Sequence, residues 1–168
     1  SGGNDVLLCS KNGMSIRFSE EDVRTMGRAA AGVRGMDLDE GDEVVGMSIL
    51  DKDKKLDILS VTNSGYGKRT ESEEYRVQSR GGKGIITMKT TDKNGEVIGV
   101  RAVSNADDLM VITDKGQIVR IRIREISTMG RNTQGVRLAR LKEGEKVVAC
   151  QSLAETDSEE GSEGGNDI

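Results

Sequence analysis

One arrangement of residues recurs three times along the 168-residue chain, and it limits the fold more than any other feature. Asp5, Asp57 and Asp108 each precede an apolar run. Gly13, Gly65 and Gly116 follow eight residues later in every copy, and Gly32, Gly84 and Gly135 stand a further 19 residues on. An arginine falls four places after the first glycine each time: Arg17, Arg69 and Arg120. A loop frame Arg-x-x-x-Gly closes each unit, at 28–32, 80–84 and 131–135, with steps of 52 and 51 residues. Gapless repetition at this period marks units that cannot each bury their own apolar surface and must stack on their neighbours.

Each copy reads as four short strands. The first is apolar on both faces (Val6-Leu7-Leu8-Cys9, Ile58-Leu59-Ser60-Val61, Leu109-Met110-Val111-Ile112), as a strand buried between layers requires. A turn ending in glycine follows, and a second, alternating strand comes after it. In the third copy Val119, Ile121 and Ile123 share one face while Arg120, Arg122 and Arg124 share the other. The loop with the Arg-x-x-x-Gly frame leads to a third strand beginning at Val33, Ile85 and Val136. An acidic or Asn-Gly turn then leads to a β-branched fourth strand. Helix is scarce, with single turns expected in 20–26 and 124–129. Four strands about every 50 residues predict an all-β chain of propeller-type blades, roughly 4–52, 53–104 and 105–154. Three such blades leave outer strand edges unpaired, so the chain reads as a piece of a larger ring.

Composition excludes several functions. There is no Trp, and Phe18, Tyr66 and Tyr75 are the aromatic residues, too few to form platforms for stacked single-stranded bases. There is no His, and Cys9 and Cys150 are the two cysteines, so a four-ligand zinc site cannot be built from one chain. Both lie in apolar runs and read as small buried hydrophobes. Tyr66 and Tyr75 read as packing or rim residues and the methionines as core filler. No catalytic constellation and no cofactor site is visible. No long apolar segment marks a membrane span, and the chain reads as cytoplasmic. Residues 1–3 look like a linker.

Net charge is −4, but six acids and no base fall in residues 155–168. Setting those aside leaves 25 basic against 23 acidic residues, or +2. The expectation is a mildly basic folded part, 4–154, and a disordered acidic tail, 155–168. Cations gather on the second strand and the loop after it: Arg17, Arg28 and Arg34 in the first copy, Lys68, Arg69, Arg80 and Lys83 in the second, Arg120, Arg122 and Arg131 in the third. Taken singly, a charged strand face is a solvated face. Here Arg17/Arg69/Arg120 and Arg28/Arg80/Arg131 recur at fixed positions, with no acid recurring beside them. On blades fanned about an axis they would form a curved basic band suited to a bent duplex backbone. Gly81 and Gly82, beside Lys83, suggest close approach of an anion to backbone N–H groups.

Three segments carry a family resemblance. Asn63-Ser64-Gly65-Tyr66-Gly67-Lys68-Arg69-Thr70, the sequence Gln-Ser-Arg-Gly-Gly-Lys-Gly at 78–84, and Ile126-Ser127-Thr128-Met129-Gly130-Arg131-Asn132-Thr133-Gln134-Gly135-Val136 resemble the C-terminal domain of the bacterial DNA gyrase A subunit. The resemblance runs over residues 4–154. It implies a β-pinwheel of six blades, of which these are the last three, with double-stranded DNA wrapped on a basic rim in support of ATP-dependent negative supercoiling. It also implies partners outside this chain: the gyrase B subunit, which hydrolyses ATP with magnesium, and a second A subunit in the holoenzyme dimer. The gyrase box, Gln-Arg-Arg-Gly-Gly-Lys-Gly, is matched at 78–84 with Ser79 in its second position, in a later blade than the family's. The resemblance transfers a DNA-contact role to Arg80, Lys83, Arg28 and Arg131. The related C-terminal domain of topoisomerase IV, and a propeller-like scaffold for protein partners, remain as alternatives.

Overall fold

The structure, a computed structural model, describes residues 3–154. The segment expected to be an acidic tail, 155–168, lies outside the described residues. Within them the chain is all-β. The first repeat holds β1 (Asp5–Ser10), β2 (Met14–Ser19) and β3 (Val44–Leu50). The second holds β4 (Asp57–Thr62), β5 (Tyr66–Glu71), β6 (Ile85–Ile86) and β7 (Val97–Val103). The third holds β8 (Asp108–Thr113), β9 (Ile118–Arg122), β10 (Val136–Arg137) and β11 (Val147–Leu153). Single 3-10 turns follow the second strand of each repeat, at Glu20–Asp22, Ser72–Glu74 and Ile123–Glu125.

The strands form antiparallel sheets in the orders β3-β1-β2-β6, β7-β4-β5-β10 and β11-β8-β9. This corrects the expectation that each repeat keeps its own third strand. β6 belongs to the second repeat by sequence, yet it pairs with β2 of the first, with Ile85 opposite Ser15. β10 of the third repeat likewise pairs with β5 of the second, with Val136 opposite Gly67. Each third strand thus completes the preceding blade. The predicted strand at Val33 does not form, because no described blade precedes the first and supplies an edge for it.

The lent strand must pass very close to its host. A Cβ on Gly84 would stand 2.0 Å from the Ser15 carbonyl oxygen, and one on Gly135 would stand 2.7 Å from that of Gly67. Both residues also hold positive φ, +77° and +75°. Glycine meets both demands, so the closing residue of the Arg-x-x-x-Gly frame is architectural.

Two cores lie between blades, and a third is built from the first repeat alone. Val6 packs with Ile16, Phe18 and Met36 on one side of β1, while Leu7 and Cys9 on the other side meet Ile58, Tyr75, Met88 and Val100. One step on, Leu59 and Val61 of β4 meet Leu109, Val111, Ile123 and Cys150. The first strand of a blade is apolar on both faces because it serves two cores at once. Both cysteines are buried and free. Tyr75 is also buried, sharing a 2.6 Å hydrogen bond with the Thr87 hydroxyl. The fourth strands pack in sequence, β3 against β7 and β7 against β11. The lent strands therefore lie at the far edges of their sheets.

Candidate nucleic-acid interface

The cations singled out by sequence divide into three groups according to what the fold does with them. The first is the second-strand arginine. β1 and β2 pair with Asp5 opposite Ser19 and Leu7 opposite Arg17, which sets Asp5 and Arg17 diagonally across one ladder. Arg17 Nε donates to Asp5 Oδ2 at 2.8 Å. Arg69 pairs with Asp57 at 3.2 Å, and Arg120 Nε donates to Asp108 Oδ2 at 2.6 Å. A partner acid therefore does recur at this position, contrary to the expectation, and it is the aspartate that opens each repeat.

The same guanidinium reaches the next blade. Arg17 NH1 donates to the carbonyls of Ser72 and Tyr75, at 2.9 and 3.2 Å, and Arg69 Nε donates to that of Ile126 at 2.8 Å. Arg120 has no described blade beyond it. Its side chain is 69% exposed, against 15% for Arg17 and 10% for Arg69. Arg17 and Arg69 are thus joints between blades, and only Arg120 of this set presents its charge to solvent.

Lys68 also belongs to a joint. It is fully buried, and its ammonium donates to the carbonyls of Gly130 and Arg131 and to the Thr133 hydroxyl, at 2.7, 2.5 and 3.0 Å. Burial pushes its pKa down to about 8. The expectation that Lys68 and Arg69 belong to an exposed basic stripe is corrected by this burial. Adjacent on β5, the two side chains leave opposite faces of the strand, and each ends against the next repeat, Lys68 at Gly130, Arg131 and Thr133 and Arg69 at Ile126.

The third group is the loop. Arg80 NH1 donates to the Arg34 carbonyl and Arg131 NH1 to the Ile86 carbonyl, equivalent positions in successive repeats. Both arginines are half-buried, whereas Arg28, in the same frame of the first repeat, is exposed. The Gly81 N–H is bonded to the Gly35 carbonyl at 2.7 Å, so it is not free for an anion as expected. Gly82 is exposed. Lys83 is exposed and pairs with Asp39 at 2.7 Å, and that carboxylate raises its pKa. Such a pair in solvent is weak and exchanges readily for another anion.

Among the described residues the arginines left at the surface are Arg24, Arg28, Arg34, Arg76, Arg120, Arg122, Arg124, Arg137 and Arg140, and Lys83 is among the exposed lysines. Two sets match by repeat position: Arg24 with Arg76, and Arg34 with Arg137. Arg137 stands on the lent strand β10, at the sheet edge away from the stacked fourth strands, whereas Arg34 holds the equivalent repeat position without joining a sheet. Arg137 lies 5.7 Å from the centre of the Tyr66 ring, and its NH2 donates to the Tyr66 hydroxyl, which holds that phenol below its ordinary pKa. The two line a groove of about 460 Å³ with Leu138, Ala139 and Arg140. Sequence reasoning did not single out this groove. The spacing of Arg137 and Arg140 after the last Arg-x-x-x-Gly frame is its one visible sign. Among the described residues no cluster of carboxylates and cysteines is placed to hold a metal ion, and no helix is long and apolar enough to cross a membrane.

Blades that complete one another by lending a strand, with arginine joints between them and cations along the outer edge, define a β-pinwheel, a propeller-type repeat protein. The family described as "DNA gyrase C-terminal domain, beta-propeller" matches residues 4–51, 56–104 and 107–154, one match per blade, and the chain belongs to that family. It is 48% identical over 160 residues to the A subunit of DNA gyrase from Escherichia coli (strain K12), covering 95% of this chain and 18% of that protein. It is 44% identical over 157 residues to the corresponding gyrase protein of Staphylococcus epidermidis (strain ATCC 12228), covering 94% and 18%. The chain therefore spans less than a fifth of these relatives. A solved DNA gyrase A C-terminal domain superposes with a TM-score of 0.83 at 28% identity, over 89% of this chain and 50% of that one. The C-terminal domain of DNA topoisomerase IV does so with a TM-score of 0.85 at 26% identity, over 91% and 47%.

Proposed function

We propose that this chain binds and wraps duplex DNA without sequence specificity, as the C-terminal part of a cytoplasmic DNA gyrase A subunit. In that setting it supports ATP-dependent negative supercoiling together with the B subunit, which supplies the ATP and magnesium chemistry, and with a second copy of the A subunit. The observation that carries this reading is the set of exposed arginines left once the joints are set aside. Arg24 with Arg76, and Arg34 with Arg137, keep equivalent repeat positions, and all four are exposed. None of Arg24, Arg76 and Arg137 has a carboxylate partner among the described residues, and the Arg34–Asp37 pair is long, at 3.6 Å, and exposed. Phosphates spaced along a curved duplex would meet such a series, and release of their counterions would supply the affinity. Among the described residues no long helix or free ribbon is available to enter a groove, so this reading gives base identity no part in binding. The likeness to the topoisomerase IV domain supports the same DNA chemistry in that enzyme's setting as a second reading.

The test uses a duplex of about 150 bp, one persistence length, titrated against salt. Binding should fall steeply and linearly on a log–log scale, with a slope counting the phosphates neutralised. Wrapping is read separately, by sealing a nicked circle with ligase in the presence of the protein. A shift in linking number is expected; salt-insensitive binding, or an unshifted linking number at saturation, would overturn the reading.

A further inference from the structure

We propose that the groove at Tyr66 and Arg137 is a phosphate subsite, which holds one phosphodiester of a bound duplex at a fixed point on the second blade. The Tyr66 hydroxyl is its donor, and Arg137, Arg140 and Lys93 are the cations around it. The subsite rests on the duplex-binding reading above, to which it adds a directional contact where that reading needs only charge. The fold brings these groups together in two steps. Arg137 on β10 pairs with Tyr66 at the start of β5. The N–H groups of Leu138 and Ala139 then both donate to the Gly65 carbonyl, at 2.8 and 3.2 Å, and carry the chain across the end of the hairpin. The hollow of about 460 Å³ beside Tyr66, Arg137 and Arg140 adjoins a second of about 400 Å³, which shares those three residues and extends to Ser64 and Lys93. Each is of ligand size, within the usual range of about 300–1,000 Å³.

The phenol is held at both ends. Its ring packs against the core shared by the first two blades, and its hydroxyl oxygen accepts from the Arg137 guanidinium at 3.3 Å. That bond uses the oxygen and leaves the O–H proton to donate, and the cation polarises it into a stronger donor. The side chain is half-buried, so its hydroxyl is already in place before a ligand arrives. Arg137, Arg140 and Lys93 are exposed, and among the described residues none of them is ion-paired and no carboxylate lines either hollow. Donors and positive charge without an acceptor call for an anion with several acceptor oxygens. Phosphate is that anion, and guanidinium groups match its geometry.

The first blade lacks these parts at the same place. There the pair facing across the ladder is Met14 and Ile86, which offers neither a hydroxyl nor a cation. A shared solvated charge pattern does not account for that difference, since both pairs stand at one position of one architecture. The second blade therefore grips the duplex backbone by a hydrogen bond as well as by charge, and the first blade by charge alone.

Two measurements on the full chain test this. Tyr66→Phe removes a hydroxyl and no charge, so it should weaken duplex binding about tenfold at every salt concentration while leaving the log–log slope unchanged. Arg76→Gln, outside the groove, should instead lower the slope by about one. The thermal melt of Tyr66→Phe should match that of the parent, because the ring keeps its packing. The second measurement uses ring-13C tyrosine. The chain has two tyrosines, and Tyr75 is buried, so one signal reports the groove and the other serves as a reference. A short duplex should move the Tyr66 signal in step with binding, and inorganic phosphate or a mononucleotide should move it only at much higher concentration. Salt-sensitive duplex binding with a fixed Tyr66 signal, or with Tyr66→Phe binding as the parent does, would overturn the subsite and leave the duplex-binding reading standing. Movement by phosphate or the mononucleotide before the duplex would overturn the duplex as occupant in favour of a small phosphorylated ligand. Absence of salt-sensitive duplex binding by the parent would overturn both.

Discussion

Arg17, Arg69 and Arg120 hold one repeat position, but what surrounds each decides what its removal costs. Arg69 is almost enclosed, and Arg69→Ala would strand Asp57 and the Ile126 carbonyl, lowering stability by about 3–5 kcal/mol in a urea titration. Arg120→Ala deletes a solvent-facing pair and should cost no more than about 1 kcal/mol in the same titration. Lys68 adds a pH dependence. Its ammonium is disfavoured in the folded protein, so between pH 8 and the ordinary lysine value of 10.5 the unfolded chain binds more protons. Stability from this group should therefore rise with pH across that window and stay level below it. Lys68→Met should remove the rise, as a comparison of urea midpoints for the two proteins on either side of pH 8 would reveal. The aspartates and the arginines were both legible as repeat anchors. Their pairing was not, since it follows from a diagonal across a hairpin ladder, and a linear spacing of 12 residues does not announce it.

At the scale of elements, the number and order of strands could be read from the alternation and the turn glycines. The ownership of the third strand could not. A two-residue strand such as β6 has the same pattern whether it folds back on its own blade or crosses to the one before, and the loop ahead of it is long enough for either. The glycines that close this loop separate architecture from local strain. Gly84→Ala should be severely destabilising, because its Cβ would meet the Ser15 carbonyl and because its φ is positive. Gly32→Ala keeps a similar φ of +83° but meets nothing within 4 Å, so its cost should stay near the roughly 1–2 kcal/mol of the left-handed conformation. Thermal melts of the two variants at low protein concentration would test the contrast.

For the whole molecule, the net charge of −4 includes six acids at 155–168, and exposed arginines without a carboxylate partner, such as Arg24, Arg76 and Arg137, are the charges open to a polyanion. Replacing Arg76 or Arg137 should lower the log–log salt slope of duplex binding by about one each, uniformly across DNA sequences. Lys68→Met should leave the slope unchanged, because the ammonium it removes faces protein. The recurring cations were legible from the repeat; which of them reach solvent was not, because exposure depends on the neighbouring blade. Strand lending also has a consequence for how the chain is made. The first sheet takes its last strand from residues 85–86, so a nascent polypeptide cannot finish blade one until most of blade two has left the ribosome. Each unit waits on its successor, and the growing chain carries one open edge forward until the next stretch of sequence emerges to close it.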